Sequence, residues 1–354
     1  MQIDRPTALL GGLSPARFMQ RHWQKKPLVV RAALSADALA ALPGVQALHA
    51  LTQRDDVASR LITRRGAQWQ LRHGPFERLP AARRAGWTVL VQGVNLHVPA
   101  VAALMRRFRF VPDARLDDVM FSYATDGGGV GPHVDSYDVF LLQVQGVRRW
   151  SFGPLRSAAA RALVPGVPLK LLAQFAPTQT VDLQPGDMLY LPPGWGHDGV
   201  AQGACITASV GFRAPTQGEL LARLFEQLAE RARSAPQLAR LYRDPQQPAT
   251  RDAAALPAEL ARFVAQAYGR VQPRPADIER SLGQYLSEPK PQVWFDPPQA
   301  TRWPQALRHG LRLADQSQLL SGRGRLYING ESVALPRADA PWWRRFVRQQ
   351  GADA

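Results

Sequence analysis

The sequence predicts a mainly β chain with added α structure: a jelly-roll barrel, or double-stranded β-helix, over residues 1–214, a helical domain over 215–288 and a winged-helix-like domain over 289–354. Three observations predict it. Between residues 117 and 212, short apolar segments alternate with Gly- and Pro-rich turns, the pattern of many short strands closing into two facing sheets. At Pro215 the composition changes to apolar residues at helical spacing. Asn329-Gly330 then stands between two alternating segments, a strong type I′ hairpin signal.

Taken in order, Ser14 can cap a helix running through Phe18 and Trp23, and Lys25-Lys26-Pro27 ends it before the strand Leu28-Val29-Val30. Residues 67–71 and 88–94 are apolar enough for strands, with turn material around His73-Gly74-Pro75 between them. After Pro99, AALMRRFRF has helical spacing, with Leu104 and Phe108 on one side. In the strand over 117–125, alternation puts Asp118, Met120, Ser122 and Ala124 on one face and Val119, Phe121 and Tyr123 on the other. Further strands are expected at 139–144, 148–152, 180–183, 188–191 and 205–212. Thr216 and Glu219 form a capping box for an amphipathic helix carrying Leu220, Leu221, Leu224, Phe225 and Leu228. Helices at 256–268 and 278–286 follow, and this apolar stripe is expected to make a homodimer. Helical segments flanking the Asn329-Gly330 hairpin, the last beginning at Trp342-Trp343, suggest the winged helix.

With 354 residues and 45% hydrophobic content the chain can bury a substantial core. A single cysteine, Cys205, excludes an internal disulfide framework and a thiolate zinc site, so any metal must be held by His and carboxylate groups. No apolar run approaches a membrane span, and the start lacks a secretory pattern, so a cytoplasmic location is expected. The formal net charge is +16, which draws a protein towards polyanions such as ribosomal RNA. The arginines are spread along the chain, however, which a GC-rich coding sequence would also produce.

The chemistry centres on GGGVGPHVDSYDVF over 127–140. A Gly-rich turn delivers His133 and Asp135 to the mouth of an apolar run, and strand alternation puts both on one face. His197 lies 64 positions later (197 − 133), after the strand and turn of PGDMLYLPPGWGHDG. A His-X-Asp tripeptide alone is common on solvated surfaces. Two histidines and a carboxylate at strand ends of a jelly roll instead make the facial set that holds non-haem Fe(II) and leaves three positions open. His22, His49, His73, His97 and His309 have no such partners. The open positions suit a chelating 2-oxo acid and O₂, and 2-oxoglutarate then needs a buried cation for its far carboxylate. Of Arg148 and Arg149 only one can face inward; Arg148 shares its face with Trp150 and is the choice.

Those stretches, together with HWQKKPLV at 22–29, HGPFE at 73–77, GVRRW at 146–150 and SVGFRAP at 209–215, resemble the bacterial ribosomal oxygenases of the JmjC branch of the cupin superfamily. Members of that family hydroxylate an arginine in the sixteenth protein of the large ribosomal subunit. The resemblance covers the first two thirds of the chain in sequence and the remainder in layout. It implies His133, Asp135 and His197 as iron ligands and Arg148 as the cation for 2-oxoglutarate. Ala124 stands where the family often has a serine assisting that carboxylate, leaving Ser122 and Thr125 as candidates for the second contact. It further implies a substrate arginine between Tyr137 and Met120 with its guanidinium near Asp118 and Ser209, a planar cation against an aromatic face and a carboxylate. The reaction implied couples decarboxylation of 2-oxoglutarate to hydroxylation of the arginine β-carbon.

Two other readings share parts of this pattern. A JmjC N-methyl demethylase would use the same iron chemistry and release formaldehyde, and a winged-helix binding protein could use the barrel only as a sensor. A basic enzyme should also repel a basic ribosomal protein; Asp117, Asp118, Asp126, Asp135 and Asp138, clustered in sequence, are expected to supply local negative charge at the pocket.

Overall fold

The computed structural model describes residues 2–66, 68–295 and 313–335, with Pro341 and Phe346. The chain forms two compact units: Met1–Ala214 with the described parts of Pro289–Ser317 and Pro341–Ala354, and Pro215–Glu288 with the described part of Gln318–Ala340.

In the first unit, ten strands form one hydrogen-bonded system: β1 (Leu28–Val30), β2 (Ser59–Arg65), β3 (Gln68–His73), β4 (Trp87–Val91), β5 (Leu116–Ala124), β6 (His133–Val134), β7 (Val139–Pro154), β8 (Gln179–Leu183), β9 (Met188–Leu191) and β10 (Trp195–Phe212). The order is β1-β9-β7-β10-β5-β4-β2-β3, with β6 added to β10 and β8 added to β7. Two long strands make this a barrel. β7 pairs with β9 through its first half and with β8 through its second, while β10 pairs with β6 near its start and with β5 near its end. Val139, Leu141, Trp150, Phe152, Leu183, Leu189 and Leu191, drawn from both halves of β7 and from β8 and β9, consequently meet in one inner cluster. This is the jelly-roll architecture that the strand pattern predicts.

The outer face of the sheet carries the larger core. Helices α1 (Pro15–Arg21), α2 (Ala36–Ala40), α3 (Val45–Thr52) and α4 (Pro99–Arg106) belong to this unit, and Phe18, Leu48, Leu51, Val101 and Leu104 from three of them join Val119, Phe121, Phe140, Tyr190 and Phe212. Phe140 sits at its centre, 4.8 Å from both Phe108 and Tyr190 and 5.4 Å from Phe18 between ring centroids. Fully burying each such ring contributes about 1.5–3 kcal/mol. The α1 cap is formed as expected, with Ser14 Oγ accepting from the Arg17 amide at 3.3 Å. Alternation in β5 also holds: Val119, Phe121 and Tyr123 enter the outer core, and Ser122 and Ala124 face the barrel interior.

The strands expected at 139–144 and 148–152 are one element, since β7 continues through Gly146 with the backbone in the left-handed region (φ 64°). β10 begins ten residues before the expected start at Cys205. The segment WGHDGVAQGA lacks the β-branched and aromatic run that marks a strand, and its extended form comes from pairing with β7. β2 likewise carries no clear signal, whereas β6 falls where strand alternation is read for His133 and Asp135.

In the second unit, α5 (Gln217–Ser234), α6 (Ala258–Val271) and α7 (Pro275–Ser287) accompany a three-stranded antiparallel sheet of β11 (Leu319–Gly322), β12 (Arg325–Ile328) and β13 (Glu331–Ala334). The α5 cap is in place: Thr216 Oγ1 accepts from the Glu219 amide at 3.1 Å. Asn329 and Gly330 have φ of 51° and 84°, the two left-handed residues that a type I′ turn requires. Residues 318–335 lie with the helices of 215–288 instead of forming a separate body after 289. The contact explains this grouping: α7 presents Gly283 to the Tyr327 ring, where an added Cβ would come within 2.5 Å of ring carbon. The expected helix at Trp342-Trp343 falls outside the described residues. Leu221, Phe225, Val264 and Tyr268 on α5 and α6 remain exposed, whereas Leu224 is buried. No helix among the described residues is long and apolar enough to cross a membrane.

Candidate metal and co-substrate site

The Gly-rich turn ends on Gly131 in the left-handed region (φ 79°), where an added Cβ would lie 2.8 Å from Leu171 and 3.0 Å from Trp69. That turn sets the short strand β6 beside the start of β10, in register His133↔His197. Directly opposed residues share a face. The two rings accordingly lie 4.2 Å apart between centroids, and Asp135 Oδ2 lies 3.5 Å from His197 Nε2. Among the described residues, His133, Asp135 and His197 are the group able to hold a metal ion, with one ligand atom from each within 4.8 Å of the others.

The tautomers suit coordination. His133 Nδ1 lies 2.8 Å from the Gly131 carbonyl, and His197 Nδ1 lies 3.0 Å from the Trp195 carbonyl. A carbonyl only accepts, so each Nδ1 carries the proton and each Nε2 presents its lone pair to a cation. His197 is 2% exposed, and burial together with neighbouring His133 holds its imidazole down to about 4, keeping it neutral and ligand-ready.

Arg148, Trp150 and Phe152 oppose Ala201, Gly199 and His197, so all six share the inner face. The Arg148 guanidinium is 5% exposed, and its Nη1 donates to Ser122 Oγ at 3.0 Å. Its Nε and Nη2 are buried without a hydrogen-bond partner. Leaving a buried cation so incompletely paired is costly unless a ligand completes it. Trp150 stands between the two centres, its ring 5.8 Å from the guanidinium carbon and 5.9 Å from the His197 ring. Gly199 makes room for it, because an added Cβ there would approach the indole to 2.6 Å. A dicarboxylate reaching from the histidines to Arg148 fits these donors.

Of the two candidates for a second carboxylate contact, Ser122 lies on Arg148, whereas Thr125 Oγ1 is turned towards the backbone N and O of Trp87 at 3.4 Å. Ala124 is fully buried and packs on Ala201 and Cys205. The four residues assigned to the substrate come together. Ser209 opposes Met120, and Asp118 lies two residues before Met120 on the same face. Tyr137 is 39% exposed, and partial burial of its phenol, reinforced by the neighbouring Asp135 and Asp118 carboxylates, pushes it up. Burial, reinforced by Asp117, also pushes the Asp118 carboxyl up; its Oδ2 accepts from the Gly93 amide at 3.0 Å.

The acidic cluster expected to offset the net charge is mostly committed to partners within the chain. Asp117 pairs with Arg213 and Lys290, Asp126 accepts from the Gly203 amide, and Asp138 is fully buried against Tyr190, Gln24 and Arg115. Sequence spacing could not separate these from Asp118, because the partners come from distant segments. The orienting carbonyls of Gly131 and Trp195 were also missed, although each lies two residues before its histidine, a spacing visible once the strand is known. So was Thr88, which opposes Ala124 and whose buried hydroxyl has no partner.

Residues 103–220 match the family model of the JmjC domain. The chain is 33% identical over 333 residues to the ribosomal protein uL16 3-hydroxylase of Escherichia coli, covering 91% of this chain and 86% of that protein. It is 36% identical over 216 residues to a probable ribosomal oxygenase of Haemophilus influenzae, covering 59% and 52% of the two chains. Among solved structures, Escherichia coli ycfD superposes with a TM-score of 0.76 at 32% identity, covering 93% of this chain and 89% of that one. The same ribosomal oxygenase in complex with cobalt and 2-oxoglutarate gives 0.72 at 30% identity, with 95% of each chain covered.

Proposed function

This chain belongs to the JmjC-domain ribosomal protein hydroxylases, and from that premise we propose that it is an Fe(II)- and 2-oxoglutarate-dependent oxygenase that hydroxylates the β-carbon of an arginine in a large-subunit ribosomal protein. The observation that carries the reading is the buried Arg148 guanidinium, with two free donors, on the same inner face as the His133–Asp135–His197 group.

Bound iron supplies the centre at which O₂ is activated, one oxygen atom entering succinate as 2-oxoglutarate loses CO₂ and the other entering the arginine. The chain supplies the positioning. His133 and His197 offer Nε2, held in orientation by their Nδ1 bonds to Gly131 and Trp195, and Asp135 offers a carboxylate oxygen. Ser122 steadies Arg148 through Nη1, so Nε and Nη2 point to the far carboxylate of 2-oxoglutarate. Trp150 walls the space between and keeps water out. Tyr137 and Met120 flank the target side chain, and Asp118 with Ser209 receives its guanidinium. Holding the substrate side chain by its flanks and its guanidinium end positions the C–H that is to be broken.

In this reading residues 1–214 are the catalytic domain, 215–288 dimerise two copies through the exposed face of α5 and α6, and the three-stranded sheet grouped with those helices completes a winged-helix-like module. The enzyme works in the cytoplasm, where its +16 charge holds it near ribosomal RNA while Asp118 attracts the basic substrate. The test is incubation of the purified protein with Fe(II), ascorbate, 2-oxoglutarate and a ribosomal protein fragment, read by mass spectrometry. A gain of one oxygen on one arginine, absent with His133→Ala, is expected. Formaldehyde release without that gain would turn the reading to demethylation.

A further inference from the structure

Trp87, Val89 and Val91 of β4 enter the outer core, so Thr88 and Leu90 between them face the barrel interior. Register places Thr88 opposite Ala124 and Leu90 opposite Ser122. Ser122 is the residue that holds Arg148 Nη1. Ala124 packs on Ala201, which is itself the register partner of Arg148. Thr88, Ala124, Ala201 and Arg148 thus follow one another along the inner wall, and the two alanines between the hydroxyl and the guanidinium carry only a methyl group each. Gly128 borders this stretch closely: a Cβ there would come 3.1 Å from Thr88 Oγ1 and 2.5 Å from the Trp87 carbonyl, so glycine is what fits beside the hydroxyl.

Thr88 is fully buried, and its Oγ1 has no hydrogen-bond partner. An unpaired buried hydroxyl is destabilising, and a chain that needed only volume could carry valine there. Among the described residues, Arg148 Nε and Nη2 are unpaired buried polar atoms of the same wall, as are Trp150 Nε1 and Arg60 Nε further along it. Two guanidinium donors suit a carboxylate, whose oxygens accept more hydrogen bonds than those two donors supply.

We propose that Thr88 is a second anchor of the co-substrate, donating its hydroxyl to the far carboxylate of 2-oxoglutarate that Arg148 also holds. This rests on the reading of the site as a 2-oxoglutarate oxygenase. The hydroxyl reaches the carboxylate from β4, across the strand pair from Ala124.

The test measures 2-oxoglutarate binding to the full chain loaded with Mn(II), which fills the metal site without turnover, by titration calorimetry. Wild type, Thr88→Val, Thr88→Ser and Arg148→Met are compared, and thermal midpoints of the metal-free proteins are recorded. Thr88→Val should raise the Kd about tenfold or more, the loss of one hydrogen bond to a charged group. Thr88→Ser should stay within about twofold of wild type, because the donor is kept. Mn(II) affinity should not change, and the metal-free midpoint of Thr88→Val should hold or rise, since an unpaired hydroxyl is removed. Equal Kd values for wild type and Thr88→Val would overturn the assignment while leaving the oxygenase reading intact. A lowered midpoint with unchanged binding would likewise overturn it in favour of a structural hydroxyl. No binding by wild type would overturn both.

Discussion

Replacing Arg148 by methionine tests the site at its most exposed assumption, that a buried guanidinium is kept for a ligand. The side chain is 5% exposed and spends one donor on Ser122, leaving Nε and Nη2 for the co-substrate. A hydrogen bond to a charged group contributes about 1.5–3 kcal/mol, so losing two costs about 3–6 kcal/mol, or about 10² to 10⁴ in 2-oxoglutarate Kd. The free protein should respond differently. Removing the guanidinium relieves the desolvation of an incompletely paired buried charge, and Ser122 Oγ retains the Thr207 carbonyl at 3.4 Å as acceptor. Against that stands the modest contact with the Trp150 ring at 5.8 Å. The metal-free melting midpoint is therefore expected to hold or rise while co-substrate binding collapses and Mn(II) binding is kept. Arg148→Lys, which keeps charge without the two-pronged geometry, should fall between. Calorimetric titration of the Mn(II)-loaded proteins reads the first effect and a thermal melt the second. Binding by Arg148→Met within about threefold of wild type would refute the argument, since even one lost charged hydrogen bond exceeds that.

Other consequences follow from the same geometry. His197 is held to about 4 against an ordinary 6.5 by burial and His133; the unfolded chain binds the extra proton between these values, so this contribution to stability is complete above 6.5 and is lost as pH falls towards 4. It amounts to about 3 kcal/mol at most, and melts of the metal-free protein should show a steeper acid loss in wild type than in His197→Gln. Asp118→Asn should raise the KM for the ribosomal fragment about tenfold or more with 2-oxoglutarate affinity unchanged, and in wild type that KM should climb on acidification, because burial lifts the Asp118 carboxyl and its charged form is the one that binds a guanidinium. An unchanged KM would remove Asp118 from the substrate site. Phe225→Glu puts a charge on an α5 position that is 56% exposed, and light scattering should then report a monomer where wild type reports a dimer.

What the sequence determined by itself is whatever depends on local spacing. Alternation divides β5 and the second half of β7 into two faces each; Trp150 suggests the interior for the face of Arg148, and the family resemblance brings Ser122 to the same site. Capping at Ser14 and Thr216 and the Asn329-Gly330 turn are likewise settled within a few residues of chain. The triad was legible because both halves sit beside glycine turns whose chemistry is local, and the family resemblance extended that reading to the substrate residues. Tertiary structure decided everything that depends on register between distant strands. Only the β6–β10 ladder brings His133 beside His197, and only pairing with β7 makes a strand of the glycine-rich start of β10. The acidic residues that look alike in sequence separate into Asp118 at the pocket and Asp117 and Asp138, which are paired with Arg213, Lys290 and Arg115 reaching them from elsewhere. Thr88 carries no sequence signal, since its role depends on lying opposite Ala124, a neighbour 36 positions away (124 − 88) that hydrogen bonding between strands alone can specify. Side-chain direction is a property of one strand, whereas adjacency is a property of the sheet.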